Sequence, residues 1–213
     1  MVTKNEKYPA SLDIDYPQSS NRVTALFRLV LAIPILMLLS LLTSAWDAPH
    51  SHEAGKQVTS GGGSIAGGLF VATVLMLLFR QRYPRWWFNF VLELNRFSTR
   101  VGAYLFLLTD KYPSTEDAQS VHVELKYPDA KKDLNRWLPL VKWFLAIPHY
   151  VVLFLLAVAA ALATIFAWFA ILFTGKYPES LFRFVVGVGR WGLRVNAYAF
   201  LLVTDTYPPF SFD

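Results

Sequence analysis

The chain contains one stretch twice, and this constrains its fold more than any single residue does. RYPRWWFNFVLELNRFSTRVGAYLFLLTDKYP at 82–113 is answered by KYPESLFRFVVGVGRWGLRVNAYAFLLVTDTYP at 176–208. Tyr83-Pro84 corresponds to Tyr177-Pro178. Arg96, Arg100, Tyr104 and Phe106 correspond to Arg190, Arg194, Tyr198 and Phe200. Self-similarity of this kind marks one supersecondary unit used more than once. The correspondence extends upstream: LDIDYP at 12–17 resembles VELKYP at 123–128, Asn21-Arg22 resembles Asn135-Arg136, and Ala32-Ile33-Pro34 resembles Ala146-Ile147-Pro148.

Each long copy reads as an amphipathic helix. Trp87, Phe90, Val91, Leu94, Phe97, Val101, Tyr104, Leu105 and Leu108 recur at helical spacing, opposite Asn89, Glu93, Arg96 and Arg100. In the second copy Leu181, Phe184, Val185, Val188, Trp191, Val195, Tyr198 and Leu202 form the apolar face, and Arg183, Gly187, Arg190 and Arg194 the polar stripe. Charges at mid-bilayer cost about 2.5–3.5 kcal/mol each on the lenient insertion scale, so these helices suit the membrane–water boundary better than the hydrocarbon. The alternative is packing on other helices with the arginines solvated.

Only 16% of the 213 residues are charged while 54% are hydrophobic, against about 25% charged in soluble domains. The composition therefore points to a membrane protein. The net charge of +5 lies beside apolar segments, which favours anionic lipid over nucleic acid as partner. No cysteine is present, which excludes disulfides and thiolate metal sites. The first residues hold no apolar core with a cleavage site, so no cleavable signal peptide is expected.

The expected fold is an all-α membrane protein of two tandem repeats, at 1–118 and 119–213. Each is a transmembrane helical hairpin followed by an amphipathic interfacial helix, with short cytoplasmic strands near 12–15 and 121–125. The first repeat places spans near 25–46 and 65–80 and its amphipathic helix near 84–108. The second places spans near 138–157 and 159–174 and its helix near 178–202. Asn21 is positioned to cap the first span and Pro34 to kink it. The run at 138–174 is too long for one span of a ~30 Å core, so by analogy it turns back near 157–161. Two spans per half give both halves one orientation, with a pseudo-twofold along the membrane normal. Lys and Arg on the side of the termini, against Lys56 alone in the 47–64 loop, put both termini in the cytoplasm of a multi-pass inner-membrane protein.

The doubled AIP, the Tyr-Pro before each amphipathic helix, RxxxR within it (Arg96, Arg100; Arg190, Arg194), Tyr104 and Tyr198, and TDxYP after it (Thr109 to Pro113; Thr204 to Pro208) resemble bacterial membrane proteins grouped as domain of unknown function 4389. The resemblance covers nearly the whole chain. It implies a polytopic membrane protein and brings no activity, substrate or catalytic residue.

Local motifs add little chemistry. Seven of the ten tyrosines precede proline, which reads as punctuation at headgroup level, with Tyr112 and Tyr207 closing the two TDxYP runs. The GxGxxG at Gly187 to Gly192 lies inside a helix without a βαβ unit, so its glycines are read as packing residues. A GxxxG at Gly63 to Gly67 opens the second span. His50, His52 and Glu53 are too few for a preorganised metal site, and no cofactor is expected. His149, beside Pro148 inside the third span, is an ionisable group of the kind that marks a functional position. Its counterpart is Ile35, so the two halves do not share it, and the simpler alternative is that it faces the boundary near a helix end. Asp110 and Asp205 look like turn or capping residues.

The remaining site is the pair of basic stripes. Arg96, Arg100, Arg190 and Arg194 sit four apart in pairs, suited to forked hydrogen bonds with phosphate oxygens of anionic headgroups. The competing reading pairs Arg96 and Arg100 with Glu93 or Asp110, and Arg190 and Arg194 with Asp205. The expected function is a non-enzymatic accessory or scaffold subunit of a membrane complex. The alternative is a transporter or channel for a small solute or lipid.

Overall fold

Two five-residue strands that start the two halves of the chain pair with each other. The computed structural model describes residues 8–43, 65–115, 117 and 119–213. The 47–64 loop, with His50, His52, Glu53 and the start of the GxxxG, lies outside them. Strand β1, Ala10–Ile14, runs antiparallel to β2, Val121–Leu125, with Leu12 opposite Val123. Ala10, Leu12, Ile14, Val121, Val123 and Leu125 are buried, whereas Asp13, His122 and Glu124 are exposed. Side chains alternate across a strand, so this pattern leaves one wet face.

Helix α1, Arg22–Thr43, begins where Asn21 Oδ1 accepts the amides of Val23 at 2.9 Å and Thr24 at 3.4 Å. It continues through Pro34 and, among its described side chains, buries the stripe Ala25, Arg28, Ala32 and Ile35. Helix α2, Ile65–Leu75, passes into a π-helical turn, Met76–Arg80, closed by Gln81 in the left-handed region (φ 43). Helices α3, Arg85–Leu105, and α6, Glu179–Ala199, each follow an extended Tyr-Pro. Proline's fixed φ prepares the first turn and holds the preceding tyrosine extended.

The 138–174 segment is not a hairpin. A 3-10 turn, Leu138–Leu140, and a single turn α4, Lys142–Leu145, precede one uninterrupted helix α5, Ile147–Thr174. The expected reversal near 157–161 falls on AVAAALA, the best helix-forming composition in the chain. Ala160, Ala163, Ala167 and Ile171 form one continuous buried stripe across it. Pro148 occupies the first turn of α5, where a missing N–H costs nothing, and Gly175 (φ 73) ends the helix.

The elements stack in three layers. On α6, Trp191, Val195, Tyr198 and Ala199 pack against Ala146, Tyr150, Leu153 and Leu156, while Arg190 and Gly189 face β1. On α3, Phe97, Val101 and Tyr104 pack against Ala32 and Ile35 of α1, and Arg96 faces β2. The amphipathic helices thus lie between an apolar helical layer and the polar ribbon. Among the described residues two helices, Arg22–Ser40 and Ile147–Thr174, are long and apolar enough to cross a membrane, with 22% and 17% of an 18-residue apolar window in each buried. Their outer faces, including Leu29, Met37, Phe154, Phe166 and Phe173, are uncovered by any described residue.

Candidate functional site: two buried clamps and four arginine struts

After α3 and after α6 the chain turns through a left-handed leucine, Leu107 (φ 63) and Leu202 (φ 57). Leucine enters this region at a cost of about 1–3 kcal/mol, and here burial of both side chains offsets it. The turn swings Thr109-Asp110 and Thr204-Asp205 back under the helical layer, where each meets a buried cation.

In the first half that cation is Arg28, 2% exposed. Its Nη1 donates to the carbonyls of Tyr104 and Thr109, both at 2.8 Å, and its Nη2 pairs with Asp110 Oδ1. The guanidinium also sits 4.5 Å from the Tyr104 ring centre. In the second half it is Lys142, with no exposed surface. Its Nζ donates to the Thr204 carbonyl at 2.7 Å, pairs with Asp205 Oδ1 at 2.6 Å and lies 5.2 Å from the Tyr198 ring. Burial pushes the Lys142 ammonium below the ordinary lysine range, and the Asp205 carboxylate pulls it back up. Each aspartate uses its second oxygen to hold the start of the following layer: Asp110 Oδ2 accepts the Asn21 amide at 2.7 Å, and Asp205 Oδ2 the Asn135 amide at 2.5 Å. Asp110 and Asp205 are thus buried-pair partners as well as turn residues. Tyr112 and Tyr207 pack edge-on against Tyr104 and Tyr198 at 5.7 and 5.6 Å.

The four arginines of the stripes are struts. Arg96 Nε donates to the Val123 carbonyl at 3.1 Å, and Arg190 Nε to the Leu12 carbonyl at 2.9 Å. Leu12 and Val123 face each other in the ribbon. Each amphipathic helix therefore holds the strand from the other half. Arg96 also pairs with Glu93 at 2.6 Å and Arg190 with Asp13 at 2.8 Å. Arg100 and Arg194 are buried and donate to the carbonyls of Ser114 at 2.8 Å and Ser211 at 2.5 Å. The Glu93 pairing agrees with the ion-pair reading. The pairings with Asp110 and Asp205 do not form, because Arg28 and Lys142 occupy those carboxylates. The grooves these arginines line also carry Asp13, Glu124 and Asp213, or Glu93 and Glu124.

Burial differs from the amphipathic reading where the tails fold back. Arg100 and Arg194 are covered, Phe90 is 47% exposed, and Gly187 lies so close to Phe212 that an added Cβ would stand 2.9 Å from its Cβ. His149 is fully buried and does not face a boundary: Trp191 Nε1 donates to its Nδ1 at 3.0 Å, and Phe210 stacks on it at 4.0 Å. Among the described residues no cluster of three metal-ligating side chains occurs.

The halves also meet through their Tyr-Pro pairs. Tyr16 donates to the Tyr177 carbonyl at 2.5 Å, and Tyr127 to that of Tyr83. Tyr16 and Tyr127 pack edge-on against Phe182 and Phe88 at 5.0 and 5.2 Å. Arg22 and Arg136 each donate to a carbonyl at the end of an apolar helix in the other half, Phe173 and Phe79, both at 3.2 Å.

Residues 137–211 match the family model described as Domain of unknown function (DUF4389), which supports that family for this segment. No curated protein and no solved structure matches the chain.

Proposed function

We propose that the protein is a non-catalytic scaffold or accessory subunit embedded in the cytoplasmic membrane from its cytoplasmic face. On this reading it consists of two copies of one unit, interlocked because each lends its strand to the other's amphipathic helix. One observation carries the placement: both ends of α5 are fastened to the polar layer. At one end Lys142 holds the Thr204-Asp205 turn, and Thr206 accepts a bond from Tyr8, next to β1, at 3.0 Å. At the other, the Gly175 carbonyl accepts the Ser20 amide at 2.9 Å and Tyr16 binds Tyr177. A helix tied at both ends to one polar layer, and apolar along its outer face, suits a position along the bilayer rather than through it. Two spans per half no longer follow once α5 is a single helix. Cations beside both ends, Arg136 and Lys142 at one and Arg22 and Lys176 at the other, favour the cytoplasmic side for both.

The reading predicts that the protein stays in membranes washed with alkaline carbonate and leaves them only in detergent; release by carbonate contradicts it. A second reading, transfer of a small solute or lipid, is favoured by one feature. A mainly apolar cleft of about 420 Å³ between α3 and α6 is lined by Asn95, Ser98, Gly102, Gly189, Gly192 and Asn196. Solute flux into proteoliposomes that disappears in Gly192→Leu would select it over the scaffold.

A further inference from the structure

The geometry points to a phosphate-binding groove at the end of α2, in a place the four strut arginines do not reach. The π-helical turn and left-handed Gln81 bring Arg80 and Arg82 to the same groove as Lys126 and Lys131, which follow β2. The groove holds about 790 Å³ and is walled by Met76, Tyr83 and Tyr127. No carboxylate among the described residues pairs with any of these four cations. The two acids on the wall are engaged within their own turn. Asp133 Oδ2 accepts the Asp129 amide at 2.9 Å, and Asp129 Oδ1 the Lys131 amide at 3.1 Å. Four exposed cations against these two carboxylates leave the concavity with a net positive charge, which draws in an anion.

The fold does not require these charges. At the other junction between the halves the corresponding turn is made by Thr174, Gly175 and Lys176, and the position of Lys126 is taken by Asp15, after β1. One cation and one anion stand there in place of three cations, yet the chain again reverses through a left-handed residue, Gly175 in place of Gln81, with Tyr16 bonded to Tyr177 as Tyr127 is to Tyr83. The basic groove is therefore an addition to one of the two junctions between the halves. Arginine and lysine around a pocket suit phosphate oxygens, through forked hydrogen bonds and point charge respectively. Phe79, next to Arg80, and Trp86, two residues after Pro84, are each 69% exposed, which suits a position where hydrocarbon gives way to headgroups. The phosphate of an anionic lipid is thus the favoured source, and a free phosphate shares the chemistry. Only the lipid source rests on the membrane reading above.

The test uses the full chain in neutral detergent, with phosphatidylglycerol, phosphatidylcholine and inorganic phosphate as separate probes, read by native mass spectrometry. Arg82→Gln/Lys126→Gln/Lys131→Gln is compared with Lys176→Gln, the control at the corresponding rim. Phosphatidylglycerol should bind more tightly than phosphatidylcholine and weaken with salt. Its affinity should fall roughly fivefold for each cation removed, about a hundredfold in the triple variant, and hold in Lys176→Gln. Binding of inorganic phosphate alone, lost in the triple variant, supports the same site with a free anion as source. Should the triple variant unfold, Lys126→Gln and Lys131→Gln, both at exposed positions, should each show the single-step loss. Equal binding of phosphatidylglycerol and of phosphate by wild type and folded variants overturns the proposal. Because binding is read in detergent, a protein that proved not to be embedded would still bind phosphate here.

Discussion

The two clamps do the same work with different cations. Arg28 spreads three bonds over two carbonyls and a carboxylate, and its planar fork fixes the direction of each. Lys142 reaches one carbonyl and one carboxylate from a single nitrogen, in a place with no exposed surface. A guanidinium stays charged whatever its surroundings, whereas an ammonium so buried depends on its carboxylate to remain so. The first clamp is therefore the more redundant and the second the more dependent on its aspartate.

Removing the carboxylates gives the largest expected effect. Breaking a buried pair by deleting one partner costs about 3–5 kcal/mol, because the other charge is left uncompensated. Asp205→Asn should lie at the upper end and Asp110→Asn at the lower, since Arg28 retains two carbonyl acceptors and Lys142 one. Denaturant unfolding in detergent measures both, and the reverse order would break the comparison. Next, Arg28→Lys makes the first clamp resemble the second and should cost about 1.5–3 kcal/mol, one charge-assisted hydrogen bond. Gly187→Ala should cost about 1–3 kcal/mol as Phe212 is pushed away, and should raise proteolysis of the last residues. Its counterpart Glu93 is exposed, and Glu93→Ala should lose no more than about 1 kcal/mol with its surface pair. Smallest of all, Asp13→Asn at the half-exposed Arg190 pair should change stability by under about 1 kcal/mol, because Arg190 keeps the Leu12 carbonyl.

Much of this fold is legible in local pattern. The alternation around Leu12 and Val123, the Asn21 cap and the Tyr-Pro starts of α3 and α6 are short-range signals, and the structure places them where they read. The 157–161 turn rests on analogy with the first half alone, against a sequence with no breaker; helix propensity and an unbroken alanine stripe prevail. The clamp aspartates are visible as repeated residues, but the sequence pattern points to the neighbouring amphipathic helix for their partners, whereas Arg28 and Lys142 hold them. A signal did exist: Arg28 and Lys142 each stand four residues before Ala-Ile-Pro, a cation kept inside an otherwise apolar run. Arg100 and Arg194 read as partners of headgroups or aspartates because nothing local reveals that residues 114 and 211 fold back over them. Which helix each strand covers is a long-range choice that periodicity cannot report.

The account stands or falls on how α5 sits in the bilayer. The chain has no cysteine, so single cysteines can be placed along the exposed face of α5 at 151, 158, 162, 166 and 173 without background. Spin labels there, in liposomes, report depth through the ratio of collision with oxygen to collision with a water-soluble nickel chelate. A helix spanning the core would carry labels 151 and 173 about 33 Å apart in depth, at opposite surfaces, with the deepest point near 162. The account predicts instead one nearly constant depth within a single leaflet at all five positions, and water accessibility for a label at His122 on the ribbon. A depth profile that passes from one surface through the bilayer centre to the other would contradict it.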